Sequence, residues 1–256
     1  MEFVTTETDG NILKVTLNRP EVYNAMHPPM HHELSGVWDS FEADQDLWIA
    51  VLTGAGDKAF SAGNDLKYTA SGGTMEPPET GFGGLANRLD RTKPIIAAVN
   101  GFAMGGGMET AMACDIILAA ETATFALPEV KVGFIAGAGG IQRLSRQIGR
   151  KAAMEILLTG RKIGAPEAVT LGIANAAVPA DGLMDAALAK AREITANSPS
   201  SVKATMRVLA MMDEQDDTLT GLHFSRTVLG DLRKTYDFSE GVNAFVEKRK
   251  PAWKNR

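Results

Sequence analysis

Polar and apolar positions alternate over residues 11–18, where Ile12, Val15 and Leu17 stand among polar neighbours, and this period of two predicts a strand. Unbroken apolar runs at 48–52 and 95–99 predict further strands, the second buried on both faces. Residues 115–119 and 173–178 continue the series. Between these runs the spacing lengthens to that of a helix, over 28–42, 85–91, 108–113, 139–148, 152–158 and 165–171. Pro28 and Pro29 suit a first helical turn. Strands alternating with helices imply an α/β fold with crossover connections. Past about residue 183 the strand pattern stops. Helical patterns cover 183–196, 200–212, 218–229 and 239–248, with a break at Asn197-Ser198-Pro199. The chain therefore divides into an α/β core, residues 1–196, and a helical subdomain, residues 197–256. The stretch 71–84 is rich in Gly and Pro and predicts a mobile loop.

At 256 residues and 45% hydrophobic, the chain has enough apolar material for a sizeable core. No apolar run approaches ~18 residues, so no membrane span is expected. The first residues, Met1 to Thr5, lack the basic and apolar regions of a secretory signal. A single cysteine, Cys114, excludes an internal disulfide, fits a cytoplasmic setting and reads as a small core residue. The net charge of −5, without a block of like charge, argues against a nucleic-acid partner. His27 and His31 have the spacing of a zinc pair, but Pro28 sets His27 at or before the helix start and no third ligand has matching spacing. Solvated histidines and no metal are the expectation there, and His223 reads as a packing residue.

The chemistry concentrates around the triplet Gly105-Gly106-Gly107, which follows the 95–99 strand and precedes Met108-Glu109. Three glycines allow a tight turn and close approach to a ligand. The helical character of 108–113 predicts that the triplet opens a helix, and free N–H groups at a helix start bind negative oxygen. Glu109 in that helix and Glu129 after Pro128 supply two carboxylates for a proton or a water beside that oxygen. Taken singly, each glutamate reads as a surface residue and the triplet as a packing turn. Together they form a site. Two carboxylates around one buried water repel, so at least one pKa should rise. The helix start favours the charged form of Glu109, which leaves Glu129 as the expected proton carrier.

Further motifs surround this one: Asn18-Arg19-Pro20, Asn24-Ala25-Met26, Leu52-Thr53-Gly54, Ala59-Phe60-Ser61-Ala62-Gly63-Asn64-Asp65-Leu66, Gly137-Ala138-Gly139-Gly140, Leu158-Thr159-Gly160 and Phe245-Val246-Glu247-Lys248-Arg249-Lys250. In this order, over nearly the whole chain, they resemble the enoyl-CoA hydratase/isomerase (crotonase) superfamily. The resemblance implies a spiral of ββα units with a C-terminal helical trimerisation subdomain, assembled as a homotrimer or a homohexamer. It implies an acyl-CoA substrate, with coenzyme A as part of the thioester and no separate cofactor. The backbone N–H groups of Asn64 and Gly106 take the positions of an oxyanion hole. Glu109 and Glu129 take those of the two catalytic glutamates, the second delivering a proton to C2 and the first activating the water that attacks C3. Tyr23, Ala25, Ala62, Gly63, Asp65 and Leu66 fall in the loops that cradle CoA. Lys248 matches a lysine that reaches a neighbouring subunit's CoA phosphate. In the bland reading Asp65 only fixes a loop.

Three departures qualify the resemblance. Many hydratases carry a small apolar residue where this chain has Asn64, and the amide there could crowd the acyl group. Phe134-Ile135-Ala136 offers no later acid of the kind one isomerase branch uses. Phe125 to Glu129, Gly81 to Leu85 and Glu247 to Lys254 look similar to the carnitinyl-CoA dehydratase branch. Enoyl-CoA hydration is the leading expectation, because hydration uses both glutamates. A carnitinyl-CoA-type dehydratase and a Δ3,Δ2-enoyl-CoA isomerase are the enzyme alternatives. A non-catalytic acyl-CoA-binding scaffold is the alternative of another class.

Overall fold

A hairpin opens the chain: β1 (Val4–Asp9) runs antiparallel to β2 (Ile12–Leu17), with Val4 opposite Leu17. Only Val4 of β1 is buried, so the strand shows no apolar alternation and escapes sequence reading. Helix α1 (Pro28–Ala43) follows, burying Met30, His31, Leu34, Val37, Trp38 and Phe41 along one stripe. Its C-terminal carbonyls are capped by the buried Lys93 ammonium, which donates to Phe41 O (2.6 Å) and to Asp44 O.

The computed structural model describes residues 1–214 and 217–256. Two-strand units recur through its middle. They are β3 (Ile49–Gly54) with β4 (Ala59–Ser61), followed by α2 (Leu66–Ala70); β5 (Ile95–Val99) with β6 (Phe102–Met104), followed by α3 (Gly106–Met112); and β7 (Ile116–Ala120) with β8 (Thr124–Ala126), followed by α4 (Gly140–Gln147) and α5 (Arg150–Thr159). Then come β9 (Ile163–Gly164), α6 (Ala165–Leu171), β10 (Ala176–Val178), α7 (Leu183–Thr195), α8 (Pro199–Glu214), α9 (Thr218–Leu232) and α10 (Tyr236–Val246).

The first strand of each unit joins a large sheet of order β1-β2-β3-β5-β7-β10, and the second joins a small sheet of order β4-β6-β8-β9. Apart from the β1–β2 and β8–β9 pairs the ladders are parallel. This is the spiral of ββα units that the resemblance implies. β5 sits between β3 and β7 with every residue buried, as its unbroken apolar run requires. Helix α7 lies across β3, β5 and β7 and buries Leu183, Ala187 and Ala191, one residue per turn. Helix α8 packs on both α9 and α10. The chain end folds back, with Lys254 N and Asn255 N donating to the buried Asp237 carboxylate.

Two local expectations fail. Residues 85–91 form turns rather than a helix, because Gly83 and Gly84 hold positive φ and Leu85 leaves the helical region at φ −131°. The 71–84 stretch lacks helix and strand over 72–81 but ends in a buried 3₁₀ turn, Phe82–Gly84. That turn is clamped to α1: Gly83 N donates to His31 Nδ1 (3.0 Å) and Trp38 Nε1 donates to Gly83 O (3.0 Å). A mobile-loop reading does not extend to this end.

Candidate active site

Strands β4, β6 and β8 are parallel neighbours, so their C-terminal ends open on one side of the small sheet. Loops leaving those ends carry Asn64, then Gly105-Gly106 with Glu109, then Glu129. Ligands in parallel sheets bind at this end of the strands. Three segments far apart in sequence thereby reach one place.

Gly105 is the N-cap of α3, at φ 53° and ψ −124°, a conformation that favours glycine. A methyl group there would also lie 2.9 Å from Glu129 Oε1. Gly106 is the first residue of α3, so its N–H has no intrahelical acceptor. A methyl group on Gly106 would lie 2.5 Å from Cε1 of Phe82, whose ring closes that side. The 62–65 loop passes close by, since a methyl at Gly63 would lie 2.9 Å from Gly106 N. Met26 N donates to Gly63 O (2.7 Å) and Asp65 N to Met26 O (2.8 Å). Between these two bonds, the N–H of Asn64 faces away from Met26. Among the described residues neither the Asn64 N–H nor the Gly106 N–H has a protein acceptor. The Asn64 side chain turns toward α2, where Nδ2 lies 3.4 Å from Thr69 Oγ1, so it is engaged rather than free to crowd a ligand.

Both glutamates are withdrawn from water. Glu109 is 3% exposed, and its Oε1 accepts from Gly140 N at 2.8 Å. Burial pushes its pKa up to about 7; the Gly140 and Ala138 N–H groups and the Arg143 charge pull the other way, while the Glu129 charge adds to the rise. Glu129 is partly buried, and burial raises its pKa too, against the pull of its own backbone N–H. Its Oε2 is enclosed and unpartnered among the described residues. Burial raises both carboxyls, and the charge of Glu129 raises Glu109 further, so the pair resists losing its last proton. The helix start favours the charged form of Glu109, but burial outweighs it at this position. The bland reading of Glu109 as a solvated helix residue fails.

The strip assigned to CoA is partly assembled. Ala62 N donates to Tyr23 O (2.9 Å), which lays 62–66 against 23–26. Tyr23 is left-handed and 47% exposed, and Leu66 is 49% exposed, while Ala25 is buried. Asp65 has both oxygens engaged: Oδ1 accepts from Tyr68 N at the start of α2 (3.1 Å) and Oδ2 from Arg19 Nη1 (3.0 Å). Burial works against ionisation, but those two donors hold the carboxyl below its usual range. The loop-fixing role of Asp65 is what its contacts show. Lys248 stands apart, in a left-handed turn after α10 with its N–H on Phe245 O (3.3 Å).

Two supporting residues, His31 and Arg143, carry no sequence signal of function. His31, expected to be solvated, is fully buried under Phe82, with ring centroids 4.3 Å apart; burial pushes its pKa down to about 4. His27 is buried as well, against Phe3 and Tyr68, whereas His32 is exposed as expected. His223, expected to pack, is exposed on α9. Arg143 donates to Ala86 O (2.6 Å) and Ala138 O (3.4 Å), tying the 137–140 turn to the loop beyond Phe82. Arg19 holds Ala25 O (2.6 Å) together with Asp65. Cys114 is buried, and burial pushes its thiol up to about 12, as a packing residue requires. Among the described residues no group of His, Cys, Asp and Glu could hold a metal ion.

A spiral of two-strand units followed by a helical C-terminal region defines a protein of the crotonase fold. The chain belongs to the enoyl-CoA hydratase/isomerase family, whose model matches residues 7–256. It is similar to a mevalonyl-coenzyme A hydratase of Beauveria bassiana, at 44% identity over 96% of this chain and 92% of that protein. The crystal structure of an enoyl-CoA hydratase from Mycobacterium tuberculosis H37Rv superposes with a TM-score of 0.94 at 38% identity, covering 100% of both chains. A carnitinyl-CoA hydratase from Mycobacterium avium gives 0.80 at 40% identity, again over 100% of both.

Proposed function

We propose that this chain is an enoyl-CoA hydratase that adds water reversibly across the 2,3 double bond of an enoyl-CoA thioester. The observation that carries the reading is the pair of N–H groups, on Asn64 and Gly106, unpartnered among the described residues, next to the buried Glu109 and the partly buried Glu129. The two N–H groups receive the thioester oxygen and stabilise the enolate that forms when C3 is attacked, a contribution of ~10²–10³ in rate for each such donor. Glu129 lies against Gly105, beside the carbonyl anchor, and so stands nearest C2. Glu109 lies a turn further along α3 and faces C3. The reactive state holds one proton on the pair. The water hydroxyl bonds to C3, its proton passes to Glu109, and Glu129 gives its own proton to C2. In the free chain burial raises both carboxyls, which keeps that proton on the pair. The two placements carry the same charge, so the proton relocates through the water the pair holds.

Tyr23, Ala25, Ala62, Gly63 and Leu66 line the approach for CoA in this reading, and Asp65 keeps that approach in shape. Lys248 serves a neighbouring subunit. Helices α9 and α10 expose Leu219, Leu222, Leu229, Phe245 and Val246, the last two at 85% and 72%, which supports a homotrimer or a dimer of trimers. No described helix is long and apolar enough to cross a membrane, and a cytoplasmic setting is part of the same proposal.

Crotonyl-CoA absorbance tests the reading: loss of the enoyl signal, with 3-hydroxybutyryl-CoA as product by mass, is expected. An unchanged spectrum for crotonyl and longer enoyl thioesters rejects it. Lys248→Ala is expected to weaken acyl-CoA binding at low salt, and an unchanged affinity rejects that assignment.

A further inference from the structure

A cavity of about 540 Å³ opens between the turns at 86–91, the end of α3, α4 and α8. Neither glutamate lines it, yet residues next to Glu109 do. Met112 and Ala113 on its wall follow Glu109 by three and four residues, so they continue the Glu109 face of α3 about one turn, ~5 Å, further on. Gly137 and Gly139 also line it, and they belong to the turn that supplies the Gly140 N–H to Glu109. The cavity thus lies beyond Glu109 along α3, on the side away from Gly106, where the far end of an acyl group anchored at Gly106 would point.

The lining is unusually basic for an acyl pocket. It holds Arg88, Arg91, Arg143 and Arg146 against Asp115 and Asp213. Two of the arginines are already neutralised, Arg91 by both oxygens of Asp115 (2.6 and 2.8 Å) and Arg88 by Asp39 (2.7 Å). Arg143 donates to backbone carbonyls, Ala86 O and Ala138 O, which orient the guanidinium without neutralising it. The charges acting on it are those of Glu109 and Asp213, opposed by Arg91. Arg146, on the same helix, makes no ion pair among the described residues. Met206, Leu209 and Ala210 of α8 supply an apolar wall opposite.

We infer that this cavity receives the far end of the acyl group, and that Arg143 and Arg146 select an acyl group ending in a carboxylate. The substrate class is the monothioester of an unsaturated dicarboxylic acid, its free carboxylate accepting from the two guanidinium groups while its chain lies on α8. This rests on the hydratase reading and names the substrate of that site.

The test compares ligands of equal length that differ only in the terminal group. By calorimetry, adipoyl-CoA is expected to bind more tightly than hexanoyl-CoA. In turnover, the carboxylate-ended 2-hexenedioyl-CoA is expected to exceed 2-hexenoyl-CoA in kcat/KM. In Arg146→Gln both ratios should fall by about tenfold or more, the range of a charge-assisted hydrogen bond, and Arg146→Glu should lower them further. Arg146→Lys should keep most of the preference, since the charge remains. Equal ratios in the wild type, or ratios unmoved by Arg146→Gln, overturn the inference. If 2-hexenoyl-CoA is hydrated without a carboxylate preference, this inference alone fails. If no enoyl thioester is hydrated, the hydratase reading fails, and the calorimetric ratio still decides whether the cavity takes a carboxylate.

Discussion

Replacing Glu109 by Gln isolates the energetic consequence of burying that carboxyl. Its pKa moves from an ordinary 4.5 to about 7 in the folded chain. At ~1.36 kcal/mol per tenfold change in acidity, the ionised form is disfavoured in the fold by about 3 kcal/mol. The sign follows from proton counting. Between 4.5 and 7 the folded chain retains a proton that the unfolded chain has released, so stability falls as pH rises through that window and levels off above it. The side-chain amide introduced by Glu109→Gln can accept the same Gly140 N–H and has no proton to lose. Subtracting the wild type from Glu109→Gln cancels the titration of remote groups and leaves the Glu109 contribution, with the relief of Glu129 included. That difference should move by about 2.5 kcal/mol in favour of the variant between pH 5 and pH 8. Urea unfolding at pH 5, 6, 7 and 8, at one protein concentration so that any subunit association is matched, measures it. A difference that stays level across this range would refute the claim that Glu109 folds into a site hostile to its charge.

Three further outcomes follow from the same geometry. Because burial holds the Glu109 proton to about pH 7, kcat/KM for crotonyl-CoA should fall on an alkaline limb near pH 7, and a profile level from pH 6 to 8 would contradict this. Gly106→Ala pushes a methyl group into the Phe82 ring and should lower kcat by ~10²-fold, with part of the loss recovered in the Gly106→Ala, Phe82→Ala double variant; no recovery would mean that the ring is not what the methyl displaces. Arg19→Met leaves the Asp65 carboxylate, 9% exposed, without its charged partner, and should cost ~3 kcal/mol in urea unfolding; a loss below ~1 kcal/mol would show that the Tyr68 N–H alone suffices there.

The large sheet is legible in the sequence because its inner strands are buried on both faces, and an unbroken apolar run such as 95–99 has few other readings. The small sheet is not. β4, β6 and β8 have three residues each, too few to display a period, and Phe102 of β6 is 40% exposed. Their existence is implied by the family resemblance to ββα units, not by any pattern of their own. The helix expected at 85–91 shows the opposite failure: Leu85 and Ala86 are buried at the expected places, but the two left-handed glycines before them fix the chain in turns. A local apolar pattern reports burial there and says nothing of backbone geometry.

At the site the division is sharper, because two rules learned from short peptides meet on one helix. At Gly106 the helix-start rule holds: among the described residues the first N–H of α3 has no acceptor, and the neighbouring loop passes close to it, as the glycine triplet suggests. At Glu109, three residues on, the same rule is outweighed. The helix start favours a negative charge by ~1 kcal/mol at an exposed position, whereas burial to 3% exposure raises the pKa to about 7, worth about 3 kcal/mol the other way. What buries Glu109 is remote in sequence: the 136–140 turn, so close that a methyl on Gly140 would lie 2.8 Å from Glu109 Oε1, and Arg143 holding that turn in place. A pKa is a property of everything packed around a group. A single segment of sequence can therefore place a carboxylate on the correct face of a helix and still leave its acidity to be decided by a turn thirty residues away.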